Sequence, residues 1–239
     1  RIEEVLKTDV RRSLVFALVD VNGLGIKAGQ LGAEPDPSFK HAVENGVSVV
    51  VWGRAGIKSG NKDSDVHMDG YVYDAGNNEV VGGKRYVGSA SVARLMAHRF
   101  ADELVFRYTG EPGIARTKIA YVSELGTARE LFVMDYDGYD PRQLTADGFL
   151  NLMPRWSPDR RFLVFTTYRN RNTQDIDMIE LATGKRWTLV AQGGLSITPV
   201  FSPDGNSLAY SSSHEGNAEL YRLDMKTKAV QRLTTHAAG

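Results

Sequence analysis

The chain has 239 residues, of which 42% are hydrophobic and 24% are charged, as in ordinary globular proteins. Its 29 basic residues equal its 29 acidic residues, so it lacks the basic surplus that is typical of nucleic-acid binding. The absence of cysteine excludes disulfides, thiolate metal sites and a cysteine nucleophile. No apolar run in the sequence reaches the roughly 18 residues of a membrane-spanning helix.

The first 112 residues predict an α/β N-terminal domain, a small mixed sheet with two or three helices. Apolar residues at helical spacing open the chain, and a second helix is expected to start at Asp36-Pro37. Ser89 or Ser91 is expected to cap a long helix that ends at Gly110, just before the domain boundary. The positions expected to face inward on that helix are Val92, Leu95, Met96, Phe100, Leu104 and Tyr108. The predicted strands are residues 14–19, residues 47–52 and a hairpin of 66–74 with 79–86.

From residue 119 onwards a pattern recurs along the sequence. Trp156-Ser157-Pro158-Asp159 returns as Phe201-Ser202-Pro203-Asp204-Gly205, with proline and glycine in the positions of a type I turn. Each unit also holds four short β-branched or aromatic runs, and four strands in roughly 45 residues are the size of one propeller blade. Residues 113–239 therefore predict an incomplete all-β propeller of WD40-like blades, with about 2.7 blades present. Because propellers close with roughly four to eight blades, we expect the intact polypeptide to continue.

Two segments invite a chemical interpretation. The glycine-rich segment 22–29 follows a predicted strand, but Ala28 stands where a dinucleotide fingerprint needs glycine, so a flexible connection is favoured. Asp135, Asp137 and Asp140 have a spacing similar to that of calcium ligands, yet the residues between them do not fit an EF-hand. A solvated turn is the favoured interpretation, and a cation in a propeller channel is the alternative.

No catalytic constellation is recognisable in the sequence. The five histidines match no metal-binding motif, and there is no Gly-x-Ser-x-Gly elbow. His98 is expected to be a surface or boundary residue of the long helix. The repeated Asp159 and Asp204 are expected to cap backbone groups of their turns. The sequence therefore predicts no catalytic residue, no cofactor and no metal site.

Taken together, the two halves resemble the TolB family of the bacterial Tol–Pal system. The most specific part of the resemblance is the junction Ala115–Val122, followed by Asp135-Tyr136-Asp137-Gly138-Tyr139 and the Trp-Ser-Pro-Asp turns. The resemblance implies a six-bladed, non-catalytic periplasmic protein that binds the peptidoglycan-associated lipoprotein Pal and the inner-membrane protein TolA. It also implies a role in outer-membrane integrity and cell division, and import of colicins. In the family the TolA-binding segment lies at the extreme N-terminus, which we expect to precede Arg1.

The resemblance further implies a Pal-binding face made by the loops that lead into each strand before a Ser-Pro-Asp turn. The residues that it assigns to this face are Phe149, Leu150, Asn151, Met153, Gly194, Leu195, Ser196, Thr235 and His236. The enterobacterial proteins carry histidine at the Leu195 position, so the contact chemistry is expected to differ here. For apolar side chains such as Phe149 and Leu195, folding over a blade is the alternative to contact with a partner.

Two other classes of protein fit the repeat. One is an enzyme, because prolyl-oligopeptidase-type serine hydrolases carry similar propellers; it would need a hydrolase domain beyond Gly239. The α/β domain ahead of the propeller argues against that interpretation. The other is a structural repeat domain with an unrelated partner.

Overall fold

The structure is a computed structural model that describes residues 2–20, 24, 34–58, 65–170 and 172–236. It divides into two compact units, Arg1–Thr117 and Lys118–Gly239. None of the helices in these described ranges combines the length and apolar character of a membrane-spanning segment.

The first unit contains an antiparallel sheet in the order β1-β2-β3. These strands are Val49–Lys58, Asp65–Asp74 and Glu79–Ser89, so the second predicted strand and the predicted hairpin are confirmed. The sequence predicts a mixed sheet, whereas all three described strands pair antiparallel. Its described residues form the α-helices α1 (Ile2–Arg12), α2 (Ser38–Glu44) and α3 (Ala93–Thr109).

Helix α3 covers the sheet because its buried apolar side chains pack on those of β2 and β3. The cluster includes Met68, Val72 and Tyr86 from the sheet and Phe100 and Leu104 from the helix. Helix α3 ends as predicted, because the next residue is a glycine in the left-handed conformation (φ 76°) whose N–H donates to a carbonyl of the last turn at 2.8 Å. The helix and sheet therefore form one core.

Several expectations for this unit are wrong. Residues 14–19 are not a strand: they pair with none of the described strands, and Leu14 is 91% exposed. An apolar β-prone run becomes a strand only where a neighbour supplies backbone partners. Val92, which precedes α3, and Leu95 are exposed rather than inward-facing, whereas the neighbouring Met96 belongs to the apolar cluster. Ser89 makes no capping bond; its hydroxyl lies 2.7 Å from that of Ser91.

The sequence places the domain boundary at residue 112, and the two units divide at Thr117. Residues 113–116 belong to the first unit because they are tied to α3. Asp102 of that helix accepts a hydrogen bond from the Ala115 N–H at 2.7 Å and pairs with Arg116 at 2.6 Å. Gly113 permits the approach, since a Cβ there would lie 2.5 Å from the Asp102 Cα.

The second unit contains three antiparallel sheets that follow one another along the chain. Blade 1 has three strands: β4 (Lys118–Leu125), β5 (Ala128–Asp135) and β6 (Arg142–Gln143). Blade 2 has four: β7 (Asn151–Trp156), β8 (Phe162–Thr167), β9 (Asp175–Glu180) and β10 (Arg186–Val190). Blade 3 has four: β11 (Ser196–Phe201), β12 (Ser207–Ser212), β13 (Glu219–Asp224) and β14 (Val230–Arg232).

The incomplete propeller predicted from the repeat is thus confirmed, with one difference in phase. The sequence pattern counts units from residue 119 and leaves the last unit unfinished. The sheets begin instead at the strand before each Ser-Pro-Asp turn, so the three-stranded sheet is the first. This phase follows from hydrogen bonding: β7 pairs with β8, and β11 pairs with β12.

Neighbouring blades are held together by apolar side chains from their facing surfaces. Leu131 of blade 1 packs with Leu163, Phe165 and Ile179 of blade 2. The opposite face of blade 2 packs on blade 3 through a second cluster: Val164, Ile176, Met178, Val190, Leu208, Tyr210, Tyr221 and Leu223. Full burial of a side chain of this size contributes about 1.5–3 kcal/mol, so the stacked faces hold the blades in sequence order.

Candidate protein-binding loops

Two loops carry four of the nine residues that the sequence assigns to the binding face, and three more lie in the strands that follow these loops. The blade-2 loop is residues 144–150 and runs into β7. The blade-3 loop is residues 191–195 and runs into β11. The backbone fixes both in the same way. The Phe149 carbonyl accepts from the Arg129 N–H at 3.0 Å, and the Gly194 carbonyl accepts from the Gln174 N–H at 3.1 Å.

The next residue of each loop bonds to the segment that follows the second strand of its blade. The Leu150 carbonyl accepts from the Tyr168 N–H at 2.9 Å, and the Leu195 carbonyl accepts from the Ser213 N–H at 2.9 Å. Each loop is thus tied both to the preceding blade and to its own blade. The repeat therefore determines the backbone course of both loops.

The strands that follow the loops share a bulge. In β7 and β11 the register shifts across the Met153-Pro154 and Thr198-Pro199 pairs. The residue before each proline is left-handed, with φ 56° at Met153 and φ 54° at Thr198. A bulge frees one residue from the hydrogen-bond ladder, which is why a strand can hold a proline there. Met153 is therefore a bulge residue within β7, not a loop residue, and its side chain is 47% exposed.

The blade-2 loop has a side-chain anchor from blade 1. Glu130, in β5, is buried. Its carboxylate accepts hydrogen bonds from the Thr145 hydroxyl at 2.5 Å, from the Gly148 N–H at 2.8 Å and from the Asn151 amide at 3.1 Å. The Thr145 hydroxyl in turn accepts from the Leu131 N–H at 2.9 Å. One carboxylate therefore holds the loop near its beginning, in its middle and at the first residue of the strand that follows it.

A second anchor of the blade-2 loop comes from Arg186 of β10. Its guanidinium donates to Asp177 at 2.6 Å, to Asp147 at 2.5 Å and to the Thr167 hydroxyl at 3.0 Å. The Asp177 side chain has 0% exposure, so Arg186 is the nearer counter-charge of a fully buried carboxylate, and Arg169 lies 3.8 Å from the same carboxylate. Burial acts to raise the pKa of Asp147, but hydrogen bonds from Asn151 and Arg186 outweigh it, and the pKa is lower than usual.

The blade-3 loop has weaker anchors. The Leu195 N–H donates to the Ser213 hydroxyl at 3.1 Å, and Gln192 accepts from the Tyr210 hydroxyl at 3.1 Å. The Ser196 and Ser212 hydroxyls lie 3.1 Å apart. No charged side chain bonds to this loop in any contact that the structure describes, in contrast to the blade-2 loop.

The last assigned segment, Thr235-His236, follows β14. Glu219 accepts from the His236 N–H at 2.6 Å and lies 3.0 Å from the His236 ring nitrogen. It also accepts a short hydrogen bond from the Thr234 hydroxyl and pairs with Arg232 at 3.1 Å. The Thr234 hydroxyl and the His236 N–H, as donors to the carboxylate, lower the pKa of Glu219 to about 2.

The structure separates the assigned residues by exposure. Leu195 is 45% exposed, and Gly194, Thr235 and His236 are also exposed, while Phe149 and Leu150 are half-buried. Asn151 and Ser196 have 0% exposure, so their side chains orient the loops from inside the blades. Sequence reasoning missed Glu130 and Arg186. The sequence does contain a signal for Glu130, because a glutamate and a threonine are separated by 15 positions both in Glu130–Thr145 and in Glu219–Thr234.

The other candidates have ordinary protein partners. Asp135 pairs with Lys118, Asp140 lies 3.6 Å from Arg142, and Asp137 accepts from the Tyr139 N–H at 3.1 Å. Of the segment 22–29, only Leu24 lies within the described residues.

The turn aspartates do cap their turns, as predicted. Asp159 accepts from the Arg161 N–H at 3.1 Å, and Asp204 accepts from the Asn206 N–H at 3.0 Å. The prediction for His98 is wrong, because that side chain is buried and its Nδ1 lies 2.6 Å from Asp9 of α1. The packing of α1 on α3, which the sequence analysis did not anticipate, covers it.

Comparison with known proteins shows which family has this architecture. The TolB β-propeller domain family matches residues 105–239, which include all three blades. The chain belongs to the TolB β-propeller family. It is 31% identical over 199 residues to the Tol-Pal system protein TolB of Desulfosudis oleivorans, covering 83% of this chain and 44% of that protein. It is 31% identical over 222 residues to the Tol-Pal system protein TolB of Gluconobacter oxydans, covering 90% and 48%.

A solved structure agrees with this family assignment. The crystal structure of TolB from Acinetobacter baumannii superposes with a TM-score of 0.83 at 28% sequence identity, covering 98% of this chain and 57% of that chain. The chain thus spans about half the length of the curated relatives that it matches.

Proposed function

We propose that this chain is a non-catalytic, periplasmic component of a Tol–Pal system that binds Pal through the blade-2 and blade-3 loops. Membership of the TolB family supports the proposal, since the matched relatives are named Tol-Pal system proteins. The observation that carries it is the repeated loop geometry, which presents Leu195 at 45% exposure on a backbone fixed at both sides. An exposed apolar side chain on a fixed loop is suited to a protein interface.

The same proposal includes the wider role of such a system. The protein would contact TolA, and colicins would bind the propeller. Through these partners, the protein would help to maintain the outer membrane during cell division.

A charge at the loop tip tests the binding face. We expect Leu195→Asp to weaken binding of the soluble domain of Pal from the same organism by about 1–3 kcal/mol, because a central interface side chain would become a desolvated carboxylate. Calorimetry measures the affinity. Val230→Asp is the matched control, since this residue of β14 is similarly exposed, at 40%, and lies outside both loops. Equal affinity for Leu195→Asp and the wild type would remove Leu195 from the interface.

A further inference from the structure

Blades 1 and 3 carry the same buried hydrogen-bond arrangement. A glutamate in the last but one strand of the blade, Glu130 or Glu219, accepts from a threonine hydroxyl 15 positions later and from a backbone N–H just beyond it. Each threonine hydroxyl also accepts from a strand N–H, at 2.9 Å from Leu131 and at 2.9 Å from Leu220. We call this arrangement the Glu–Thr clasp.

In blades 1 and 3 the clasp binds the segment that follows the last strand of the blade. In blade 1 the backbone donor is Gly148, in the middle of the blade-2 loop, and in blade 3 it is His236. Both carboxylates are buried, so each hydrogen bond to them is charge-assisted and shielded from competing water. The clasp therefore restricts the conformations of the residues that the proposed function assigns to the binding face.

Blade 2 shows that a blade can form without the clasp. The corresponding positions there are Asp175 and Val190, and Val190 packs in the apolar cluster between blades 2 and 3. The hydrogen bond described for the Asp175 carboxylate comes from the Thr173 hydroxyl, two residues earlier, at 3.2 Å. Blade 2 nevertheless has four paired strands. The clasp is therefore not a requirement of the blade fold.

We propose that Glu130 and Glu219 are positioning residues of the partner-binding face. Each buried carboxylate holds the segment that leaves its blade in the conformation that the partner recognises, and Thr145 and Thr234 orient the carboxylates. This proposal rests on the proposed function for the identity of the partner. The blade-2 loop is the clearer case, because it is described along its whole length.

The test combines amide hydrogen exchange with Pal binding. In Glu130→Gln we expect the Gly148 amide to exchange about tenfold faster, because its acceptor has lost its charge, while the amides of β8 keep their rates. We expect binding of the soluble domain of Pal to weaken roughly tenfold. Asp175→Asn is the matched control at the position without a clasp and should change neither quantity.

A second pair of variants separates positioning from loss of fold. Thr145→Val introduces the residue type that blade 2 carries at Val190 and should reproduce both effects, whereas Thr145→Ser keeps the hydroxyl and should restore both. Unchanged exchange at Gly148 in Glu130→Gln and Thr145→Val would overturn the proposal. So would faster exchange with unaltered affinity for Pal. Failure of the wild-type chain to bind Pal would overturn the proposed function instead, and faster exchange at Gly148 would still support the clasp.

Discussion

The blade-2 and blade-3 loops follow the same backbone course but are anchored differently. Both make the same pair of backbone hydrogen bonds to the preceding blade and to their own blade. Among the contacts of the described residues, only the blade-2 loop is also bonded to charged side chains, through Glu130 and Arg186. The comparison teaches that the repeat specifies where a loop runs, while side chains outside the recognisable motif decide how firmly it is held.

The largest expected effect comes from removing the arginine anchor. Arg186→Ala removes the counter-charge that lies 2.6 Å from the fully buried Asp177 and leaves Arg169, at 3.8 Å, as the next described one. Loss of one partner from a buried pair costs about 3–5 kcal/mol. Urea unfolding followed by tryptophan fluorescence measures it, since Trp156 and Trp187, two of the three tryptophans, lie in the second unit. Tyr210→Phe, which removes the corresponding bond of the blade-3 loop, should cost less than about 1.5 kcal/mol. Equal losses would contradict the difference between the loops.

A threonine introduced into blade 2 at the position of the clasp threonine should have a smaller effect on the free energy of unfolding. Val190→Thr puts a hydroxyl into an apolar cluster, and we expect a loss of about 1–3 kcal/mol in the free energy of unfolding. Thr188→Val, at an exposed position of the same strand, should change it by no more than about 0.5 kcal/mol. Both values come from the same urea titration. A stabilising Val190→Thr would mean that Asp175 can build a clasp after all.

The clasp of blade 3 should appear in the acid stability of the chain. The pKa of Glu219 is lowered from 4.5 to about 2 in the folded state. The ionised carboxylate therefore stabilises the fold above about pH 4.5, and this contribution is lost as the pH falls towards about 2. We expect the stability difference between the wild type and Glu219→Gln to shrink over this range. Urea unfolding at several pH values measures it, and a constant difference would show that the charge of Glu219 does not stabilise the fold.

The smallest expected effect concerns the two Ser-Pro-Asp turns. Arg160 and Gly205 occupy the same turn position, both left-handed (φ 62° and 74°), and both donate to a serine carbonyl at 2.9 Å. Only glycine adopts this conformation without steric cost. In thermal unfolding we expect Arg160→Gly to raise the free energy of unfolding by about 0.5–1 kcal/mol. We expect Gly205→Arg to lower it. A destabilising Arg160→Gly would show that the arginine side chain contributes contacts of its own.

Much of the fold follows from local sequence. The Ser-Pro-Asp turns at Asp159 and Asp204, the hairpin of β2 and β3, and the end of α3 at Gly110 all depend on residues near one another in the chain. Local hydrogen bonds and backbone preferences are enough to form them, so the sequence predicts them correctly. The number of propeller strands follows from the repeat for the same reason.

Long-range contacts decide the rest. Residues 14–19 have the composition of a strand but pair with no described strand, and His98 is buried because α1, far away in sequence, packs over it. The binding loops show the same division. Their positions follow from the repeat, whereas Arg186 lies 39 residues from Asp147, and only the folded sheet brings the two together. The sequence by itself determined the repeating backbone, because its signals are local; the tertiary structure decided which side chains hold the loops, because buried ion pairs and clasps join residues that local patterns do not connect.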